Sequence, residues 1–319
     1  MAFSQLRTAI ACLLLFFVAP VYSQRLSDSA IPEHYALTLT PDLSNATFAG
    51  SEKIDVLLKQ PSDSITLNAA EIKFASVTAE VNGKELKASV AEDPQKEQVT
   101  FSFDHTLPAG RTTLSIEYSG ILNNELRGFY LSKTARRNYA VTQFEATDAR
   151  RAFPSFDQPD MKAVFHITLV VDKGDMAISN TTIESDTPGP GEGKHTVKFS
   201  ASPKMSSYLV ALLAGDFQCL SGSADDIPIR VCATPEKKDL GAFALTSAEH
   251  VLKYYDKYYY TKYPFKKLDF IGIPDFSAGA MENIGAITFR ESDLLIDDKT
   301  ASYDSHRNIA CLLYTSRCV

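Results

Sequence analysis

No Cys-x-x-Cys pair occurs in this chain, and no two of its six histidines stand at i, i+4 spacing. It therefore offers neither a thiolate metal or redox motif nor the two-histidine face with which a helix grips a metal. Positive charge is also short. Against 39 Asp and Glu there are 32 Lys and Arg, a net charge of −7, which argues against a nucleic-acid or anionic-membrane surface, since both need basic patches. A cationic ligand group is better tolerated. Beyond residue 23 no apolar run approaches membrane length, and neither tandem repeats nor blocks of like charge interrupt the chain. Of five cysteines, Cys12 lies in the amino-terminal apolar run and Cys311 and Cys318 in the last nine residues. Cys219 and Cys232 remain, flanking a turn-rich segment, where a disulfide and a pair of half-buried thiols are both open.

What is present reads as an exported globular protein. At 319 residues with 45% hydrophobic and 22% charged side chains, the chain suffices for two ordinary domains. Residues 1–23 have the build of a secretory signal peptide: Arg7 supplies the positive start, Ala9 to Pro20 the apolar stretch, and Val21-Tyr22-Ser23 a small-residue cleavage site. The mature chain is expected to be secreted or periplasmic, with no membrane span after cleavage. Asn45-Ala46-Thr47 and Asn180-Thr181-Thr182 are glycan acceptor patterns, relevant only in a glycosylating host.

Period-two alternation dominates residues 24–220. Tyr35, Leu37 and Leu39 face one way, and Val99-Phe101-Phe103, Leu114-Ile116-Tyr118 and Phe165-Ile167-Leu169 repeat the pattern. Asn82-Gly83 is a two-residue hairpin signal, and Pro188 to Gly193 is a longer loop. The spacing predicts an all-β sandwich or saddle. Ser221 to Asp226, small and polar, reads as a boundary before a strand at Ile227 to Ala233. Leu240, Phe243, Ala244, Ala248, Val251, Leu252 and Tyr255 then recur at helical spacing, which predicts a helix over 240–259 packed by one face. The tyrosines crowded between Tyr254 and Tyr263 read as core and rim of that helix rather than as a stacking platform.

Two loops carry the candidate chemistry. In Gly279-Ala280-Met281-Glu282-Asn283 a carboxylate stands among apolar neighbours, after a strand at Lys267 to Pro274 and before another at Ile284 to Arg290. A charge so placed is costly unless a cation or several donors meet it. The stretch could pair with an extended peptide as an added strand while Glu282 holds that peptide's amino terminus. The second loop, from Thr142 through Gln143 and Glu145 to Pro159, follows a strand at Tyr139 to Val141. Arg150, Arg151 and Asp157 within it read as a salt-bridged crossover.

The Gly-Ala-Met-Glu-Asn string resembles the exopeptidase signature of the zinc aminopeptidases related to aminopeptidase N and puromycin-sensitive aminopeptidase. The 142–159 loop resembles the segment by which the saddle domain of that family leans over its catalytic cleft, with Gln158 where Glu is usual, and Ile284 replaces a common Trp. The resemblance covers nearly all of residues 31–310 and implies a mainly β fold. A saddle-like β-sandwich domain is followed by the start of an α+β thermolysin-like catalytic domain over 221–310, with residues 311–319 an aberrant tail of no evident use.

For the site, the resemblance implies that Glu145 and Glu282 hold the free amine of a peptide substrate and that Gln143 lines the pocket for its first side chain, with Gly279, Ala280, Met281 and Asn283 completing the peptide-binding stretch. Removal of the first residue would run on a zinc held by His-Glu-x-x-His and a further Glu, none of which this sequence contains. The expectation is thus a truncated aminopeptidase, inactive alone. Its rival is a non-catalytic exported β-domain protein that binds peptide amino termini or serves as an interaction module.

Overall fold

The computed structural model describes residues 25–315. The signal expected over 1–23 and the last four residues lie outside that range. The alternation becomes a sheet wherever one face is buried. Strand β1 (Ala30–Asp42) lies between β2 (Thr47–Leu58), antiparallel to it, and β10 (Val164–Asp172), parallel to it. Tyr35, Leu37 and Leu39 point inward beside Ile54 and Val56 of β2 and Phe165, Ile167 and Leu169 of β10. Outward from β2 follow β7 (Gly110–Ile121), β4 (Ile72–Val81), β5 (Lys84–Asp93), β6 (Gln98–Leu107) and β3 (Ser62–Asn68). Asn82 and Gly83 both adopt positive φ in the hairpin between β4 and β5, as the dipeptide predicts.

Beyond β10 the same sheet continues through β13 (Lys194–Phe199) to β12 (Ile183–Pro188), ten strands in all. Strand β12 has no counterpart in the sequence pattern. It is exposed along its whole length, so it carries no apolar alternation, and only its backbone pairing makes it a strand. A second sheet of four strands, ordered β11 (Met176–Ser179), β14 (Leu212–Gly215), β9 (Asn138–Gln143) and β8 (Gly128–Lys133), borders the junction with the rest of the chain.

The carboxy-terminal third is built on five strands, ordered β15 (Gln218–Ala224), β16 (Ile227–Ala233), β17 (Leu268–Ile273), β19 (Ala286–Arg290) and β18 (Ala280–Met281). The central three run parallel, and the middle one, β17, is buried along its whole length. Helices α1 (Ala242–Tyr258) and α2 (Tyr303–Thr315) cover one face, with Ala244, Ala248, Leu252, Ile309 and Leu313 against Val231, Phe270 and Phe289. The other face presents Cys232, Ile271, Ile273, Met281 and Ala286 to the main core. No helix among the described residues is long and apolar enough to cross a membrane.

Two expectations are corrected here. Ser221 to Ala224, the first part of the small polar stretch read as a boundary, is not irregular chain but belongs to the edge strand β15, which pairs residue by residue with β16. Small polar residues suit an edge, where one face and one side meet water. Cys219 and Cys232 stand opposite each other in this hairpin and form a disulfide, their Cα atoms 4.0 Å apart. The segment from Cys311, for which the sequence suggests no use, continues α2 through Thr315. Leu313 is fully buried, and the Tyr255 hydroxyl donates to the Tyr314 carbonyl at 2.6 Å. Leu313 lies one turn on from Ile309 and extends its apolar stripe.

Candidate functional site

The loop leaving β17 is fastened to the amino-terminal sheets before it reaches its acidic residue. The Tyr130 hydroxyl donates to the Asp275 carbonyl at 2.7 Å, the Asp275 carboxylate accepts the Lys133 N–H at 2.8 Å, and the Asp275 N–H donates to Ser132 Oγ at 3.0 Å. Phe276 is buried in the main core. Arg290 closes the loop from the other side, its guanidinium donating to the carbonyls of Phe276 at 3.2 Å and Ser277 at 2.6 Å and its N–H to the Gly279 carbonyl at 2.9 Å.

The next residues alternate as a strand must. Ala280 and Met281 pair with Phe289 and Thr288, forming β18 at the sheet's edge. Met281 and Asn283 point inward and are buried, and Asn283 Nδ2 donates to Thr288 Oγ1 at 3.3 Å. Ala280 and Glu282 are only partly covered. Gly279 has room for a Cβ, whose nearest contacts would be Asp293 Oδ2 at 3.4 Å and Leu312 Cδ2 at 4.0 Å. Packing among the described residues therefore does not demand its glycine. The open side of β18 bears no strand among the described residues.

Across the junction, β9 ends at Gln143, which is buried and whose Oε1 has no hydrogen-bond partner. Phe144 is buried, and Glu145 beyond it is exposed, joined to Ala146 by a cis peptide bond. The crossover that follows is salt-bridged as expected, but it also draws on carboxylates from the turns just before β4 and β6. Arg150 Nε donates to Asp157 Oδ2 at 3.0 Å and Nη1 to Glu97 at 3.2 Å, while Arg151 reaches Glu71 at 2.7 Å, Glu97 at 2.5 Å and Asp148 at 2.8 Å. Burial pushes the Asp157 carboxyl up, against the pull of Ser207 and Arg150. The Ser207 hydroxyl donates to that carboxylate at 2.7 Å, which ties the 148–157 loop to the single turn Ser207–Leu209.

Tyr208 stands in the middle of that turn. Burial raises the pKa of its hydroxyl, and the negative charges of Glu282 and then Glu145 raise it further. The structure thus brings both carboxylates into the electrostatic range of one phenol, although they come from loops on different sheets. Neither carboxylate has a hydrogen-bond or ion-pair partner among the described residues. Two acidic side chains are thus left without a counter-charge among the described residues, both acting on one phenol and one of them directly after an unpaired strand edge. Such an arrangement favours a cationic group attached to an extended backbone.

Sequence reasoning missed Tyr208, which stands in no motif, and Asn180, which looks like a glycan acceptor but is buried beside the same turn. Beneath the acidic loop, Lys267 and Asp269 form a buried pair at 2.7 Å, with Arg230 bidentate to Asp269 at 2.8 and 2.6 Å. Burial pulls the Lys267 ammonium down. It also pushes Asp269 up, but there Lys267 and Arg230 outweigh it and hold the carboxyl below the ordinary range. Lys267 Nζ also donates to the Gly285 carbonyl at 2.7 Å, so this pair anchors the exit of the loop.

Residues 31–209 match the model of the Peptidase M1 N-terminal domain, and residues 243–314 that of the Peptidase family M1 domain. The chain belongs to peptidase family M1. Its relatives in that family include aminopeptidase 2 of Candida albicans, 40% identical over 87% of this chain and 30% of the relative. The alanine/arginine aminopeptidase of Saccharomyces cerevisiae is 39% identical over 89% and 34%, and the puromycin-sensitive aminopeptidase of Caenorhabditis elegans 36% over 92% and 32%. This M1 chain thus spans about a third of the length of the curated relatives it matches. Among the described residues, no three His, Cys, Asp or Glu side chains are grouped to hold a metal ion. They do not fit the zinc that the resemblance implies.

Proposed function

We propose that this chain carries the substrate-amine half of an aminopeptidase site, which releases amino-terminal residues from peptides when the zinc-bearing remainder of the catalytic domain is present. The observation that carries this reading is that Glu282 follows the unpaired edge strand β18 with no counter-charge among the described residues, while Glu145, equally unpartnered there, acts with it on the Tyr208 hydroxyl. A peptide's terminal ammonium supplies the missing positive charge, and its extended backbone adds to β18 at Ala280 and Met281. Clasping the ammonium fixes the first peptide bond at a set distance from the pocket and rejects chains whose amino terminus is blocked or buried. Gln143, with its free Oε1, lines the pocket for the first side chain. Gly279, with room on its open side, lets the peptide backbone approach, while Asn283 and Met281 hold the strand from beneath. The names of the relatives, all aminopeptidases, support the same reading.

Alone, the chain binds peptide amino termini and turns over nothing, because no ligand set for zinc is grouped among its described residues. Export is part of the proposal. It is supported by the build of residues 1–23 and by the Cys219–Cys232 disulfide, a bond that persists in oxidising compartments.

Titrating the purified chain with alanyl-alanine amide and with its N-acetyl derivative tests the binding role. The free amine is expected to bind more tightly, and Glu145→Gln or Glu282→Gln each to cost about 1.5–3 kcal/mol of that preference, the range for a hydrogen bond to a charged group. Equal binding of the two peptides refutes the amine pocket. Metal-dependent release of an arylamine from an aminoacyl arylamide by the chain alone refutes its inactivity.

A further inference from the structure

Asn180 follows β11 and is 3% exposed, with every polar atom of its amide engaged. Nδ2 donates to the Leu209 carbonyl at 2.8 Å and to the Ile284 carbonyl at 2.9 Å, while Oδ1 accepts the Ala211 N–H at 2.9 Å. Leu209 is next to Tyr208, and Ile284 is two residues past Glu282. One side chain is therefore bonded to both the turn that bears Tyr208 and the loop that bears Glu282. Its main chain is engaged in the same joint. Gly285 has φ +69°, and a Cβ added there would lie 2.2 Å from the Asn180 carbonyl oxygen. Lys267 holds the Gly285 carbonyl from the opposite side.

We infer that Asn180 is a positioning residue, which sets the gap between Glu282 and Tyr208. The inference rests on the amine-binding reading of that pocket. Only a primary carboxamide offers two donors and an acceptor from one planar group here. Aspartate turns the donor edge into a second acceptor facing two carbonyls, and alanine leaves Leu209 O, Ile284 O and Ala211 N–H without this partner. With the joint broken, the Glu282 loop is no longer fixed to the turn that bears Tyr208, although both carboxylates remain. Because both amide hydrogens are committed in the folded chain, Asn180 is also closed to glycosylation despite its Thr182.

The test is a double-mutant cycle on the whole chain, reading the affinity ratio between alanyl-alanine amide and its N-acetyl derivative. Asn180→Ala is expected to lower the ratio about tenfold, the equivalent of about 1.4 kcal/mol. In that background Glu282→Gln should cost little more, whereas Glu145→Gln should cost what it costs in the wild type. A general loss of stability would not single out one of the two carboxylates. Full additivity of Asn180→Ala with Glu282→Gln overturns the inference. Where Asn180→Ala does not fold, Gly285→Ala strains the same joint without touching the amide. Loss of the Glu282 effect in it supports Asn180, and an undiminished effect overturns it. The wild-type ratio separates the two levels. A ratio near one sinks the amine pocket and the inference with it, while a high ratio with additive variants sinks Asn180 alone.

Discussion

At the residue scale, the sharpest cost in this fold is Glu52. It lies on the inward face of β2 between Gly50 and Ile54, 3% exposed, and neither carboxylate oxygen has a hydrogen-bond partner. Burial pushes its carboxyl well above the ordinary glutamate range. The Tyr35 and Tyr118 hydroxyls respond to it from β1 and β7, both raised first by their own burial and then by the Glu52 charge. The folded state therefore binds a proton that the unfolded state releases. The associated stability is present in full below the usual glutamate pKa and is lost progressively as pH climbs through the raised folded value. Glu52→Leu is expected to raise the urea midpoint at pH 8 by the equivalent of about 1–3 kcal/mol, the cost of an unsatisfied buried polar group, and by less at pH 5. An equal gain at both pH values argues against a titrating Glu52. The period-two alternation placed its neighbours correctly, but nothing in the sequence distinguishes an inward Glu52 from an outward one of the next register.

Elements were more legible than single residues. The strands at Tyr35, Val99, Leu114 and Phe165 show in the sequence because each buries one face, and the helix expected over 240–259 forms as α1, from Ala242 to Tyr258, after a 3-10 segment over Pro235–Gly241. The tyrosines on it settle largely against one another. Tyr254 stacks on Tyr258 with ring centroids 5.6 Å apart, and Tyr255 lies 4.9 Å from Tyr314 of α2. The edge strands β12 and β15 were not legible, since an edge buries too little to leave a periodic signature. In the β15–β16 hairpin the pairing alone decides that Cys219 meets Cys232. Cys219→Ser with Cys232→Ser is expected to cost about 2–3 kcal/mol for a loop of this length, read as a lowered urea midpoint with the strands still formed. An unchanged midpoint would assign the hairpin's stability to its backbone pairing.

For the whole molecule, the decisive feature is a core shared across the junction. Ile271, Ile273, Phe276, Met281 and Ala286 from the carboxy-terminal sheet belong to the same buried cluster as Phe144, Leu209 and Ala211. Unfolding is therefore expected as one cooperative transition, with a probe on the amino-terminal sheets and a probe on α1 reporting the same midpoint. Phe276→Ala, which opens a cavity in that shared cluster, is expected to cost about 3–5 kcal/mol. Two separated transitions would mean that the two parts hold together only weakly.

The sequence by itself determined the strand-rich fold, the helix over the second sheet, and the two loops that bear Glu145 and Glu282, because alternation, period and a local motif are properties of neighbouring residues. That both carboxylates act on Tyr208, and that Asn180 ties the Tyr208 turn to the Glu282 loop rather than displaying a glycan site, was decided only by the tertiary structure. Each depends on groups far apart in the chain that share one small volume once the sheets pack, and no local pattern encodes such a distance.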